Sequence, residues 1–132
     1  MKDMILDKYQ NQVNDCLIRH KSILDVLSKL TESEAKLNRA VCKSVTSCGC
    51  IEIKASKQIY NSNASDIDIL TKTISNHLTG DLCPKCREVI ENELCNNIFY
   101  LTCLCNLLDM NLYDVLIKES DKLSTLGKYT LR

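Results

Sequence analysis

The chain has 132 residues and a mass of 15.0 kDa, enough for one domain of ordinary size and too little for two. Its 17 Lys and Arg balance 17 Asp and Glu, and that neutrality removes the cationic footprint expected of a general nucleic-acid coat. Hydrophobic residues make up 45% and charged residues 26%, with 3 Gly and 1 Pro, a scarcity of turn residues that favours helices over sheets.

From Lys2 to about Leu30, apolar positions recur at Ile5, Tyr9, Val13, Cys16, Leu17, Ile23, Leu24, Leu27 and Leu30. This three-four spacing predicts one long amphipathic helix. Thr31-Glu32-Ser33-Glu34 has the form of a capping box and predicts a second helix through Leu37, Val41 and Val45, ending at about Ser44–Ser47. Cys48-Gly49-Cys50 follows, then the alternation of Ile51 to Ala55, which suits one short strand, and a polar surface loop over residues 56–65. Ser65 with Asp68 signals a cap, and Ile67, Leu70, Ile74 and Leu78 predict a third helix stopped by Gly80.

Cys83-Pro84-Lys85-Cys86 puts proline at a first helical position and opens a fourth helix, long and deeply buried, running to Leu108. Asn111 caps a fifth helix that Gly127 ends. The most apolar stretch, Ile98 to Leu108, is interrupted by Thr102 and Asn106 and is too short to span a bilayer. The expected fold is all-α: a single helical domain over residues 1–132, with four main helices, a shorter one and a cysteine-rich loop.

Nine cysteines are an odd number. The opening Met1-Lys2-Asp3-Met4 leads into no apolar signal core, so the expected setting is cytoplasmic, with reduced thiols. Cys48 and Cys50, together with Cys83 and Cys86, form two close pairs at a loop and a helix start. A helix amino terminus favours thiolate, and four such ligands suit tetrahedral zinc, so these four are candidate ligands of a structural zinc site. The same residues leave open a redox dithiol at Cys83 and Cys86, an iron–sulfur cluster, or unligated thiols. Cys16, Cys42, Cys95, Cys103 and Cys105 fall inside helical patterns and read as small buried hydrophobes. His20, on the first apolar stripe, reads as a core histidine, and His77 as solvent-facing near a helix end.

From Glu88 to Tyr129, the run Glu91-Asn92-Glu93-Leu94-Cys95-Asn96-Asn97-Ile98-Phe99-Tyr100-Leu101, then Leu107-Leu108-Asp109-Met110-Asn111-Leu112-Tyr113-Asp114-Val115-Leu116, resembles the MazG-like all-α nucleotide pyrophosphohydrolases. The resemblance covers about a third of the chain. It implies a helical bundle assembled as a dimer or tetramer that uses magnesium to hydrolyse nucleoside triphosphates to monophosphate and pyrophosphate. The family's acidic pairs, three residues apart on one helix face, let two helices cage magnesium beside a triphosphate. Transferred to this chain, the resemblance makes Glu34, Glu93 and Asn96 the catalytic candidates, with Asn38 and Asn97 as neutral oxygen donors. Asn96 stands where the family has an acid, and Leu37 follows Glu34 at the matching spacing. Lys36, Arg39, Lys43, Lys54 and Lys57 would face phosphates or form a solvated face.

Two functions follow as expectations. One is a divergent MazG-like pyrophosphohydrolase or nucleotide binder. The other is a catalytically inactive bundle whose zinc or redox-responsive cysteines serve a protein-interaction or regulatory module.

Overall fold

The computed structural model describes residues 2–60, 67–130 and 132. Among them the chain is largely helical, with five α-helices and one two-stranded antiparallel sheet. Helices α1 (Lys2–Cys16) and α2 (Ile23–Lys43) are followed by a π-helical turn, Ser44–Cys48, and strand β1 (Ile51–Ile53). Then come α3 (Ile67–Thr73), β2 (Leu78–Gly80), α4 (Pro84–Leu107), α5 (Leu112–Leu126) and a 3-10 turn at Gly127–Thr130.

The helix expected from Lys2 to Leu30 is two helices. Ser22 has extended backbone and its side chain accepts the Leu24 amide, so it caps α2 as a new start. The apolar spacing runs across the break because Leu17, just past the end of α1, still packs beside Val13. Thr31 therefore lies inside α2, where its hydroxyl donates to the Leu27 carbonyl one turn back, and it caps nothing. His20 is exposed in the connection rather than held on a helical stripe.

Helices α2 and α4 form an antiparallel pair, with the cysteine-bearing excursion joining the end of one to the start of the other. Midway along the pair, the Asn97 amide donates to the hydroxyl of buried Ser33 at 3.1 Å. At the other end α1 closes a small core of Val13, Val26 and Cys103, against which Tyr9, Leu17, Phe99, Tyr100 and Leu104 pack. Phe99 and Tyr100 meet edge to face at 5.2 Å, the geometry that ring quadrupoles favour. Gln10 fixes the turn between α4 and α5: its Nε2 donates to the Met110 carbonyl at 2.7 Å and its Oε1 accepts the Leu112 amide at 2.8 Å. Asn111 caps α5 by accepting the Asp114 amide, as its position in the sequence predicts.

The third helix is shorter than expected. It stops at Thr73, and Leu78-Thr79-Gly80 instead forms β2, paired with β1 in the register Ile51↔Gly80, Glu52↔Thr79, Ile53↔Leu78. The Lys54 amide continues the ladder to the His77 carbonyl, and Gln58 exchanges two hydrogen bonds with Ser75. His77 takes a left-handed φ of 58° and turns Nε2 into a buried position with no partner, so it is not solvent-facing. The Ser65 cap and residues 61–65 of the expected loop lie outside the described residues.

Burial is shallower than the sequence suggests. Only Ile90, Thr102 and Cys103 of α4 are buried, because the helix has neighbours on part of its circumference only. Leu94, Ile98, Leu101 and Leu108 form a stripe 41–50% exposed. Of the five cysteines expected inside, only Cys103 is buried; Cys105 is half-buried, and Cys16, Cys42 and Cys95 are exposed. No described residue of α5 is buried. Among the described residues, no helix is long and apolar enough to cross a membrane.

Candidate metal centre

Three local features bring Cys48, Cys50, Cys83 and Cys86 together. The last turn of α2 widens into the π-helical turn, where the Gly49 amide reaches five residues back to Ser44 O at 2.9 Å. That widening carries Cys48 past the register an α-helix would give it. Gly49 has φ 79°, a left-handed conformation that glycine adopts without strain, and it reverses the chain between the two sulfurs. Cys83 then caps α4, with Pro84 in its first turn and the Cys86 amide donating to the Cys83 sulfur at 3.4 Å.

The sheet sets the distance between the two pairs. Gly80 sits opposite Ile51, and a Cβ there would lie 2.6 Å from the Cys50 carbonyl oxygen. Only a residue without a side chain lets β2 approach this closely, three positions before Cys83. Ser44, buried at the head of the π-helical turn, uses its carbonyl as acceptor for the Cys50 thiol at 3.8 Å.

The four sulfurs all lie within 4.8 Å of one another, and those of Cys48 and Cys83 are 3.8 Å apart. Four thiolates at the usual zinc–sulfur bond of about 2.3 Å occupy a tetrahedron with edges of about 3.8 Å. The cluster is thus close enough to bind a metal, and its donors fit a single zinc-sized ion. A multi-iron cluster would hold its thiolates farther apart. None of the nine cysteines is in a disulfide, and 3.8 Å between sulfurs is a non-bonded contact, well beyond a disulfide bond of about 2.05 Å.

The electrostatics of the four thiols are uneven. The Cys86 amide, then the Cys86 thiol, stabilise negative charge on Cys83 and hold its pKa down at about 7. Cys86, as the donor to that sulfur, is pushed up to about 12. Cys83 thus deprotonates before Cys86, at the positive end of the α4 dipole, and the protons that remain are the ones that a metal would displace.

A cavity of about 700 Å³ opens beside the cluster in the cleft between α2 and α4. Lys36, Arg39 and Lys43 from α2, Lys85 and Glu93 from α4, and both Cys48 and Cys86 line it, with Ala40 and Val89 as apolar wall. The sequence pointed to Lys36, Arg39 and Lys43 but gave no sign of Lys85. It marked Ser44 and Gly80 only as helix ends, although a glycine three residues before a C-P-x-C motif was a signal available to read.

The residues drawn from the family resemblance are split. Glu93 and Asn96 line a smaller recess with Lys29, Glu32, Ser33, Lys36 and Tyr100. Asn97 is engaged with Ser33. Glu34 and Asn38 are exposed on α2 and line neither of the cavities that Glu93 lines; Asn38 accepts the Cys42 thiol at 3.6 Å. In the recess Glu32 pairs with Lys36 at 2.9 Å and Lys29 at 3.3 Å, and these hydrogen bonds, that from Lys36 first, hold its carboxyl below the usual range. Among the described residues, the cysteine cluster is the one grouping of three or more His, Cys, Asp or Glu side chains able to hold a metal. No grouping of three or more carboxylates is among them. No family model matches the chain, and neither a curated protein nor a solved structure does.

Proposed function

We propose that the protein is a zinc-clipped helical module whose task is assembly with other protein, in the first place with a second copy of itself. The observation that carries the reading is the convergence of four cysteine sulfurs to within 4.8 Å at the joined ends of α2 and α4. Zinc bound there acts by structure: it closes the excursion between Cys48 and Cys83 and fixes the splay of the two helices. Catalytic zinc keeps an open position, and four thiolates leave none.

The surface supports the second half of the reading. A compact monomer of this mass exposes about 7,000 Å², whereas the chain exposes 10164 Å². The excess, roughly 3,000 Å² per chain, leaves surface enough for an obligate interface, which buries about 1,000–2,500 Å² on each partner. The exposed apolar positions Val115, Leu116, Leu123 and Leu126 of α5, and separately the α4 stripe, supply apolar surface of the kind that subunit interfaces use.

Native mass spectrometry on protein purified without added metal tests both halves. The reading predicts one zinc per chain and a dimer or tetramer. A metal-free monomer, or a mass two hydrogens light for each disulfide formed, contradicts it. Nucleoside triphosphate hydrolysis would need Glu93 and Asn96 to act without the acids that the resemblance calls for, and the exposure of Glu34 outside the recess they line weighs against it.

A further inference from the structure

The cavity beside the cysteine cluster is unlike the rest of the surface in charge. Lys36, Arg39, Lys43 and Lys85 line it from two helices; Lys36 is paired with Glu32 at 2.9 Å, which leaves Arg39, Lys43 and Lys85 against the single carboxylate of Glu93. The chain as a whole is neutral, so this concentration is local. The first turn of α4 adds its positive dipole end at the same rim, beside Lys85. At about 700 Å³ the cavity is also the size of a small-molecule site, which usually runs about 300–1,000 Å³.

The opposite end has a different character. Glu93 buries its Oε2 without any hydrogen-bond partner, and an unmet acceptor of that kind costs free energy unless a donor reaches it. Lys85 and Glu93 are eight positions apart on α4, a distance of about 12 Å along the helix. Between them Ala40 and Val89 form an apolar wall. A ligand that satisfies all three zones has an anionic group at one end, a flat or apolar body, and an N–H or O–H donor at the other.

We infer that this cavity binds a phosphomonoester small molecule, its phosphoryl group held by Lys43 and Lys85 at the α4 amino terminus and its far-end donor bonded to Glu93. The charge balance sets the class. Three cations facing one carboxylate leave a local excess of two positive charges, which matches a phosphomonoester dianion and not the larger charge of a polyphosphate. The lysines have a competing role, which is to neutralise the neighbouring thiolates, and the experiment separates the two.

The probes are ribose 5-phosphate, which supplies the phosphoryl group on a body too short to span the roughly 12 Å to Glu93, and adenosine monophosphate, which adds a flat body with an amine donor. Binding is measured by calorimetry on the protein as purified, with metal content and melting temperature followed in parallel. Both probes bind, adenosine monophosphate at least about tenfold more tightly. The Lys43→Ala/Lys85→Ala double variant loses about tenfold or more for both, with metal content and melting temperature unchanged. Glu93→Leu, which removes the buried acceptor while keeping bulk, lowers adenosine monophosphate to the level of ribose 5-phosphate. The inference is overturned if neither probe binds, if the two bind equally, or if the lysine variant binds as the parent does. It is equally overturned if the lysine variant loses its metal and its binding together, since the lysines then serve the cluster. None of these readouts requires the cluster to hold zinc, so failure here is distinct from failure of the assembly reading.

Discussion

The two ends of the α2–α4 pair solve the same problem by different means. At the cysteine end, a π-helical turn, a two-stranded sheet and a helix cap converge on four sulfurs, and the chain supplies every partner itself. At the other end α4 turns through Met110 into α5, which rests on α1 and buries none of its residues. A domain of this size has a small core, here centred on Val13, Val26 and Cys103, and such domains often take additional stability from metal or association. On the proposed reading, the first device belongs to one end and the second to the other.

The largest expected effect is at the closed end. Replacing Cys83 and Cys86 with Ser removes two of the four ligands, and with them the bound zinc and its share of folding free energy. The melting temperature then falls by about 10 °C or more, as calorimetry would record. The same change leaves the α5 face intact, so a parent-like melting temperature would dissolve the contrast between the ends. Acid acts in the same direction. Metal binding displaces thiol protons, so zinc affinity declines as pH falls through about 7, where Cys83 takes up its proton. A competitive zinc titration across that range checks the sign, and an affinity that rose on acidification would contradict it.

At the open end, Leu116→Glu with Leu123→Glu places charge on a face that is 44–47% exposed at these positions. The monomer fold is expected to tolerate this while association weakens by about a hundredfold or more. Light scattering coupled to size exclusion reads the result, and unaltered assembly would show that the subunits meet elsewhere. A smaller effect is expected at Gly80→Ala, where the left-handed φ of 87° and the 2.6 Å approach to the Cys50 carbonyl both resist a side chain. The cost is about 1–3 kcal/mol, seen in chemical denaturation and accompanied by weaker zinc retention. Gln10→Leu leaves the Met110 carbonyl and Leu112 amide without their partner, at a cost of about 1–3 kcal/mol, with the cysteine end unaffected.

The closed end was the more legible in the sequence. Two cysteine pairs around a permissive Gly49, with Pro84 inside a helix start, carry their meaning in spacing alone. Of the sheet that aligns them, β1 was legible in the alternation of Ile51 to Ala55, but β2 was not, because Leu78 continues the helical stripe of Ile67, Leu70 and Ile74, and a three-residue strand is too short to impose its own period. The break before α2 was hidden for a similar reason: Leu17 remains a core residue after the helix has ended. At the open end, Asn111, Leu112 and Gly127 announced α5 correctly, yet an amphipathic stripe reads the same whether its cover lies within the chain or on another. The exposed Cys16, Cys42 and Cys95 belong to that same ambiguity, since side-chain type fixes the preference for burial and the neighbours decide it.

The most direct test of the account is X-ray absorption at the zinc edge on protein purified without added metal. The account predicts one zinc per chain surrounded by a single shell of four sulfurs at about 2.3 Å. An absent zinc edge, or a first shell of oxygen and nitrogen, would contradict it.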